Sequence, residues 1–186
     1  MLIGLTGYAG SGKDTVAEYL IKEHGFTRLA FADKVRELAY RLNPPIDYGA
    51  SDIQWEVNKQ GWDAAKQHPE IRIWLQDIGT SCRDIQGADV WIDALYSGYW
   101  ALIDDAQPCH NIENVVITDV RFLNEMEWII GLGGRIVRVN RPEVGPVNDH
   151  PSETELDGWA MDGYIVNDRN LEDLSNAVDE LINKIG

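Results

Sequence analysis

Residues 2–15 read Leu-Ile-Gly-Leu-Thr-Gly-Tyr-Ala-Gly-Ser-Gly-Lys-Asp-Thr: an apolar stretch, closely spaced glycines, then a lysine. Gly7, Gly12 and Lys13 fit the phosphate-binding pattern G-x-x-x-x-G-K, with Asp14 where that pattern ends in Ser or Thr. Each part has a mechanical use. Leu2 to Leu5 suit a buried strand, and Gly7, Gly10 and Gly12 let the backbone curl so that successive N–H groups converge on one anion. The stretch from Thr15 onward has helical spacing, so a helix N-terminus would turn its dipole toward the same anion. Lys13 adds a charge that reaches the terminal phosphates. A glycine-rich turn with a stray lysine would explain the glycines but not both flanks. The motif predicts that this chain binds a nucleoside triphosphate.

Further candidates follow the other predicted strands. After 27–31 comes Asp33, a potential helix cap, with Lys34 and Arg36 able to meet an anion; residue types alone lean toward a solvated helix start. After 114–118 comes Asp119, a carboxylate at the end of an apolar strand, the usual place to hold magnesium through water. Arg121 would clamp a phosphate through paired hydrogen bonds. An aspartate cap beside an exposed arginine is the plainer alternative, and the phosphate loop weighs against it. After 135–140 comes a long loop rich in Gly and Pro, suited to a lid that excludes water, with Arg141 placed to stabilise a migrating phosphoryl group. A mobile surface loop would look similar. The run Ser152-Glu153-Thr154-Glu155 adds acid near a triphosphate site, which fits hydrogen bonding to a ribose or base.

A helical block at 70–104 carries Arg72, Gln76, Thr80, Arg83, Trp91 and Asp93. Gln76, Thr80 and Arg83 recur at near-helical spacing and can share one face, flanked by Trp74 and Trp91. Cation for phosphate and ring for base would suit a nucleotide. A solvated helix face over core tryptophans fits the periodicity equally well.

These residues need elements to hold them. Short β-branched runs predict strands at 2–6, 27–31, 114–118, 135–140 and 164–167, and periodicity predicts helices at 13–24, 33–43, 70–86, 89–104, 122–132 and 171–185. Pro44-Pro45 stops a helix, and 46–69, with Gly49, Gly61 and Pro69, reads as an irregular excursion. The alternation implies a parallel sheet with helices on both faces, whose ligands lie beyond the strands' carboxyl ends. The length of 186 residues and 44% hydrophobic content suit one domain with a sizeable core. Net charge is −15, which disfavours nucleic acid and anionic lipid as partners. No apolar run approaches membrane-spanning length, and no basic-flanked leader is visible, so the cytoplasm is the default compartment. Cys82 and Cys109 are too few for a disulfide framework, and His24, His68, His110 and His150 lack a zinc-ligand spacing.

The segments 7–15, Phe-Ala-Asp-Lys-Val-Arg (31–36), Leu-Gln-Asp-Ile-Gly-Thr (75–80), Thr-Asp-Val-Arg-Phe-Leu-Asn-Glu (118–125) and Asn-Asp-His-Pro-Ser-Glu-Thr-Glu-Leu-Asp (148–157) together resemble the bacteriophage deoxynucleoside monophosphate kinases over nearly the whole chain. The resemblance implies one P-loop kinase domain over 1–186: a five-stranded parallel sheet flanked by helices, a phosphate loop at 7–15, a substrate-binding helical insertion at about 44–105 and a lid at about 141–157. It implies transfer of the ATP γ-phosphate to a deoxynucleoside monophosphate with Mg²⁺, in a host bacterial cytoplasm if phage-encoded, and it allows a homodimer. Gly10, Ser11, Gly12, Lys13, Asp14 and Thr15 would hold ATP. Lys34, Arg72, Arg83 and Arg121 would hold the acceptor phosphate, with Ala32, Asp33, Gln76, Thr80, Ser152, Glu153, Thr154 and Glu155 completing the acceptor side. Asp14, Thr15 and Asp119 would serve the metal, in part through water, and Lys13, Asp119, Arg121 and Arg141 the transfer itself. Animal-type phosphomevalonate kinases share the Gly-Lys-Asp and Asp-x-Arg features, which leaves a second acceptor class open. A nucleotide-dependent switch is a third reading. Its usual Asn-Lys-x-Asp has only Asn58-Lys59-Gln60-Gly61 as a near match, without the Asp.

Overall fold

The structure, a computed structural model, describes residues 1–104 and 114–185; Cys109 and His110 lie outside the described residues. The elements are β1 (Leu2–Thr6), α1 (Lys13–His24), β2 (Thr27–Leu29), α2 (Ala32–Leu42), β3 (Pro45–Ile46), β4 (Ser51–Asp52), α3 (Ile53–Ala65), α4 (Pro69–Gln86), α5 (Val90–Asp104), β5 (Val115–Ile117), α6 (Leu123–Gly131), β6 (Arg135–Asn140), α7 (Pro151–Thr154), β7 (Gly163–Val166) and α8 (Leu171–Ile185). They fall into two compact units, Met1–Ala30 with Leu95–Gly186, and Phe31–Ala94.

The first unit holds the expected five-stranded sheet, ordered β2-β5-β1-β6-β7 with every neighbouring pair parallel. Parallel pairing needs crossovers, and helices supply them. Val16, Ala17 and Leu20 of α1 and Leu174 and Val178 of α8 pack with Ile3, Leu5, Val137, Val139 and Ile165 of the strands. Central β1 therefore buries Ile3 and Leu5 by period two, while its carboxyl end runs straight into the phosphate loop. The predicted strands at 27–31 and 114–118 are shorter than expected, ending at Leu29 and Ile117. Ala30 and Phe31 are buried, but Phe31 is already helical at φ −60, ψ −40 and leads into α2.

The second unit corrects the irregular excursion expected at 46–69. Asn43 ends α2 in the left-handed region and its Oδ1 accepts from Gln54 N (2.8 Å). β3 and β4 then pair as an antiparallel hairpin, and α3 follows, opened by Asp52, whose side chain accepts from Trp55 N at 2.8 Å. Gly61, at φ 77 and ψ 165, interrupts α3, which is why its sequence lacks one clean helical period. Ile46, Ile53, Ala65, Ile71 and Ile78 close around Ala39 of α2 as a separate core.

Candidate active site

In the first unit, the carboxyl ends of β1, β6 and β7 open into one cavity of about 700 Å³. Gly10, Gly12, Lys13, Asp14 and Thr15 line it from the phosphate loop and the start of α1, and Arg141 from the segment after β6. Asn167, Arg169 and Asn170, after β7, complete its polar wall, and Leu171 and Leu174 of α8 give it an apolar patch. The loop's shape depends on its glycines. A Cβ on Gly12 (φ +105) would stand 2.4 Å from Asn167 Nδ2, and one on Gly7 (φ +130) would stand 2.3 Å from the Val139 carbonyl oxygen. Asn167 secures this close approach: its Nδ2 donates to Ser11 O (3.0 Å) and its backbone N–H to Asn140 O (2.7 Å). Ser11 is buried, and among the described residues its Oγ has no hydrogen-bond partner.

Lys13 turns back on its own loop, donating to the carbonyls of Gly7 (2.7 Å) and Tyr8 (2.8 Å). Burial, and after it the positive charge of Arg121, lowers its pKa to about 8 against the opposing pull of Asp14, Glu153 and Asp119. Asp119 and Arg121, two of the predicted transfer residues, thus act electrostatically on a third, Lys13. Arg121, half-buried after β5, pairs with Glu153 Oε1 at 2.7 Å and donates to Ser152 O at 3.2 Å. Buried Glu125 orients that turn by accepting from the N–H groups of Arg121 (2.8 Å) and Phe122 (3.1 Å). Leu123 N donates to Glu155 Oε1 at 2.8 Å. The acidic run 152–155 is thus fastened to the strand-β5 turn. Ser152 to Thr154 lie in α7, a helical turn inside the expected lid, and the His150 ring caps it by accepting from Ser152 N at 3.2 Å.

The remaining acceptor-side candidates lie in the second unit. Ala32, Asp33 and Lys34 open α2, where Lys34 pairs with Glu37 (2.9 Å) and Asp33 with Arg36 (2.9 Å). Arg72, Gln76, Thr80 and Arg83 are half-buried on α4, and Arg83 Nη1 donates to Ala88 O at 2.7 Å. Trp74 is partly exposed, but Trp91 is not a stacking surface: it is 6% exposed and its indole N–H donates to Gly79 O at 3.0 Å. Its amphipathic ring is absorbed by packing, which period-based reading could not distinguish from a ligand wall.

Sequence reasoning missed Asn167, Arg169 and Asn170, although the rule that ligands sit beyond strand ends, applied to the last strand, points directly at 167–170. It also missed Arg138, a lone charge between Val137 and Val139 of β6.

Residues 66–178 match the family described as deoxynucleotide monophosphate kinase. A "Putative deoxynucleotide monophosphate kinase" of Acanthamoeba polyphaga mimivirus is 32% identical over 96% of this chain and 94% of its own. "Uncharacterized protein ORF77" of Ictalurid herpesvirus 1 is 29% identical over 89% of this chain and 63% of its own. Among solved structures, shikimate kinase from Aquifex aeolicus is 13% identical with a TM-score of 0.45, over 98% of this chain and 96% of that one. By its matching residues and its near-full-length viral relative, this chain belongs to the deoxynucleotide monophosphate kinase family.

Proposed function

We propose that the chain transfers the γ-phosphate of ATP to a deoxynucleoside monophosphate through the residues gathered at the phosphate loop, giving a deoxynucleoside diphosphate and ADP. The observation that carries this reading is the cavity at the loop, about 700 Å³, with Lys13 and Asp14 on one wall and Arg141 and Arg169 on another. Glycine N–H groups and Lys13 hold the β- and γ-phosphates, and Asn167, Arg169 and Asn170 face the rest of the donor nucleotide. Arg121 holds the acceptor phosphate once Glu153 yields it, and Arg141 balances charge on the phosphoryl group in flight. Within the second unit, Lys34, Arg72 and Arg83, with Ala32, Asp33, Gln76 and Thr80, are the candidates for acceptor binding, and in the first unit 152–155 would read the sugar or base. The acceptor phosphate is ionised at neutral pH, so no general base is needed, only two anions held in line.

Asp14 and Thr15 offer oxygen donors at the cavity, and Asp119 acts on Lys13 from the same neighbourhood. Among the described residues no cluster of three or more His, Cys, Asp or Glu side chains is arranged to hold a metal. That donor set fits Mg²⁺, which keeps most of its waters and binds chiefly through substrate phosphates. When bound, it would neutralise charge on the β- and γ-oxygens. The reading keeps the cytoplasm as the compartment; among the described residues no helix is long and apolar enough to cross a membrane.

The test is purified protein with ATP and Mg²⁺ against a panel of deoxynucleoside monophosphates, ribonucleoside monophosphates and phosphomevalonate, followed by product chromatography. A deoxynucleoside diphosphate is the expected product. Consumption of phosphomevalonate alone would replace the acceptor assignment.

A further inference from the structure

Tyr8, Arg138 and Asp157 meet in a closed arrangement that none of the roles above uses. Tyr8 belongs to the phosphate loop, and its Oη donates to Asp157 Oδ2 at 2.7 Å. Arg138 stands on β6 in register with Thr6 of β1, with 12% of its side chain exposed. A guanidinium so enclosed must satisfy its N–H groups internally. Its Nη2 pairs with Asp157 Oδ1, its Nη1 donates to Leu156 O (3.1 Å) and its Nε to Asn140 Oδ1 (3.3 Å). Its planar head also lies 5.2 Å from the Tyr8 ring centroid. The segment 152–157 is therefore strung between two arginines, Arg121 at Glu153 and Arg138 at Asp157.

Tyr8 is the residue where both halves of the site join. Its carbonyl accepts from Lys13 Nζ (2.8 Å) and from Ser11 N (3.1 Å), while its hydroxyl holds Asp157. A phosphate that draws Lys13 off the Gly7 and Tyr8 carbonyls changes the restraints on that same residue. We propose that Arg138 is a positioning residue which, through Tyr8 and Asp157, transmits occupancy of the phosphate loop to the 152–157 segment, so that the donor nucleotide orders the acceptor-facing run. This rests on the reading of 152–155 as acceptor-facing. The cation–π contact with Arg138 and the hydrogen bond to Asp157 hold the Tyr8 ring from two directions, so a shift of the loop backbone is passed on rather than lost in a side-chain rotation.

Amide hydrogen exchange of the full chain, with and without the Mg²⁺ complex of a non-hydrolysable ATP analogue, tests the coupling without any acceptor. In the unmodified protein the analogue slows exchange across 150–158 about fivefold or more, the low end of ordinary site–site coupling. Tyr8→Phe keeps the ring under Arg138 but deletes the bond to Asp157, and the analogue-induced slowing falls to less than about twofold while the analogue still binds. Arg138→Gln does the same, and Arg138→Lys restores part of it. A bond with only a structural role would raise exchange equally in both states and leave the ratio unchanged. Full analogue protection in Tyr8→Phe, or no protection in the unmodified protein, overturns the proposal. Failure of the acceptor panel with coupling intact would instead count against the deoxynucleotide reading alone.

Discussion

Lys13 carries the most direct consequence at the scale of single residues. Its ammonium in the free protein is held near pKa 8 by burial and by Arg121, whereas a bound triphosphate would favour the charged form. Between about pH 8 and the higher pKa of the complex, the free protein holds Lys13 neutral and the complex holds it charged. ATP binding in that window must take up a proton, and affinity falls as pH rises, by up to about tenfold per unit. Calorimetry at pH 8.5 in buffers of different ionisation enthalpy should read that uptake, and pH-independent affinity between 7.5 and 9.5 would contradict it. Lys13 was legible because its motif is local, seven residues wide. The strand-end rule reaches Asn167, but its contact with the loop at Ser11, 156 positions away, leaves no local pattern to read. Asn167→Ala removes the bond to Ser11 O and leaves the Gly12 turn unsupported. A loss of about 1 kcal/mol follows for the bond itself. The KM for ATP should rise about fivefold, the kinetic equivalent of that energy, with the acceptor KM nearly unchanged, as steady-state kinetics would measure.

At the scale of elements, strands and helices with a single strong period were readable almost to the residue: β1, β6, α1 and α8 fall where the pattern put them. Of the elements the sequence did not foretell, β3, β4, α3 and α7, the two helices hid for physical reasons. α7 is one turn set by the His150 cap and Pro151, too short to show a period. α3 is broken at Gly61 and lies beyond two prolines, so composition there resembles a loop although Ile53 and Ala65 are fully buried. What starts α3 is a cap rather than a periodicity, and that makes its stability separable. Asp52→Ala should cost about 1 kcal/mol and lower Tm by about 3 °C, with Asp52→Ser recovering most of it. Thermal unfolding followed by circular dichroism checks this, and an unchanged Tm would mean that core burial around Ile53 alone sets the start of the helix.

At the scale of the whole molecule, 31 acidic and 16 basic residues leave a charge of −15, yet the cavity lining sets three cations, Lys13, Arg141 and Arg169, against one acid, Asp14. Global and local fields thus have opposite signs, and salt distinguishes them by range. Raising ionic strength from about 0.01 M to about 0.15 M shortens the screening length from about 30 Å to about 8 Å, which removes most of the long-range self-repulsion while sparing contacts within the cavity. Stability should therefore climb over that interval, by about 1 kcal/mol or about 3 °C in Tm. Above about 0.15 M little repulsion remains to be screened, and the short-range attraction between the cavity cations and a triphosphate is what weakens. The KM for ATP should then increase several-fold up to about 0.5 M while Tm stays level or rises. If Tm and ATP affinity instead fall together across both intervals, the acidic surplus is not the dominant long-range term, and surface ion pairs such as Lys34–Glu37 and Arg135–Asp162 hold more of the fold than their exposure implies.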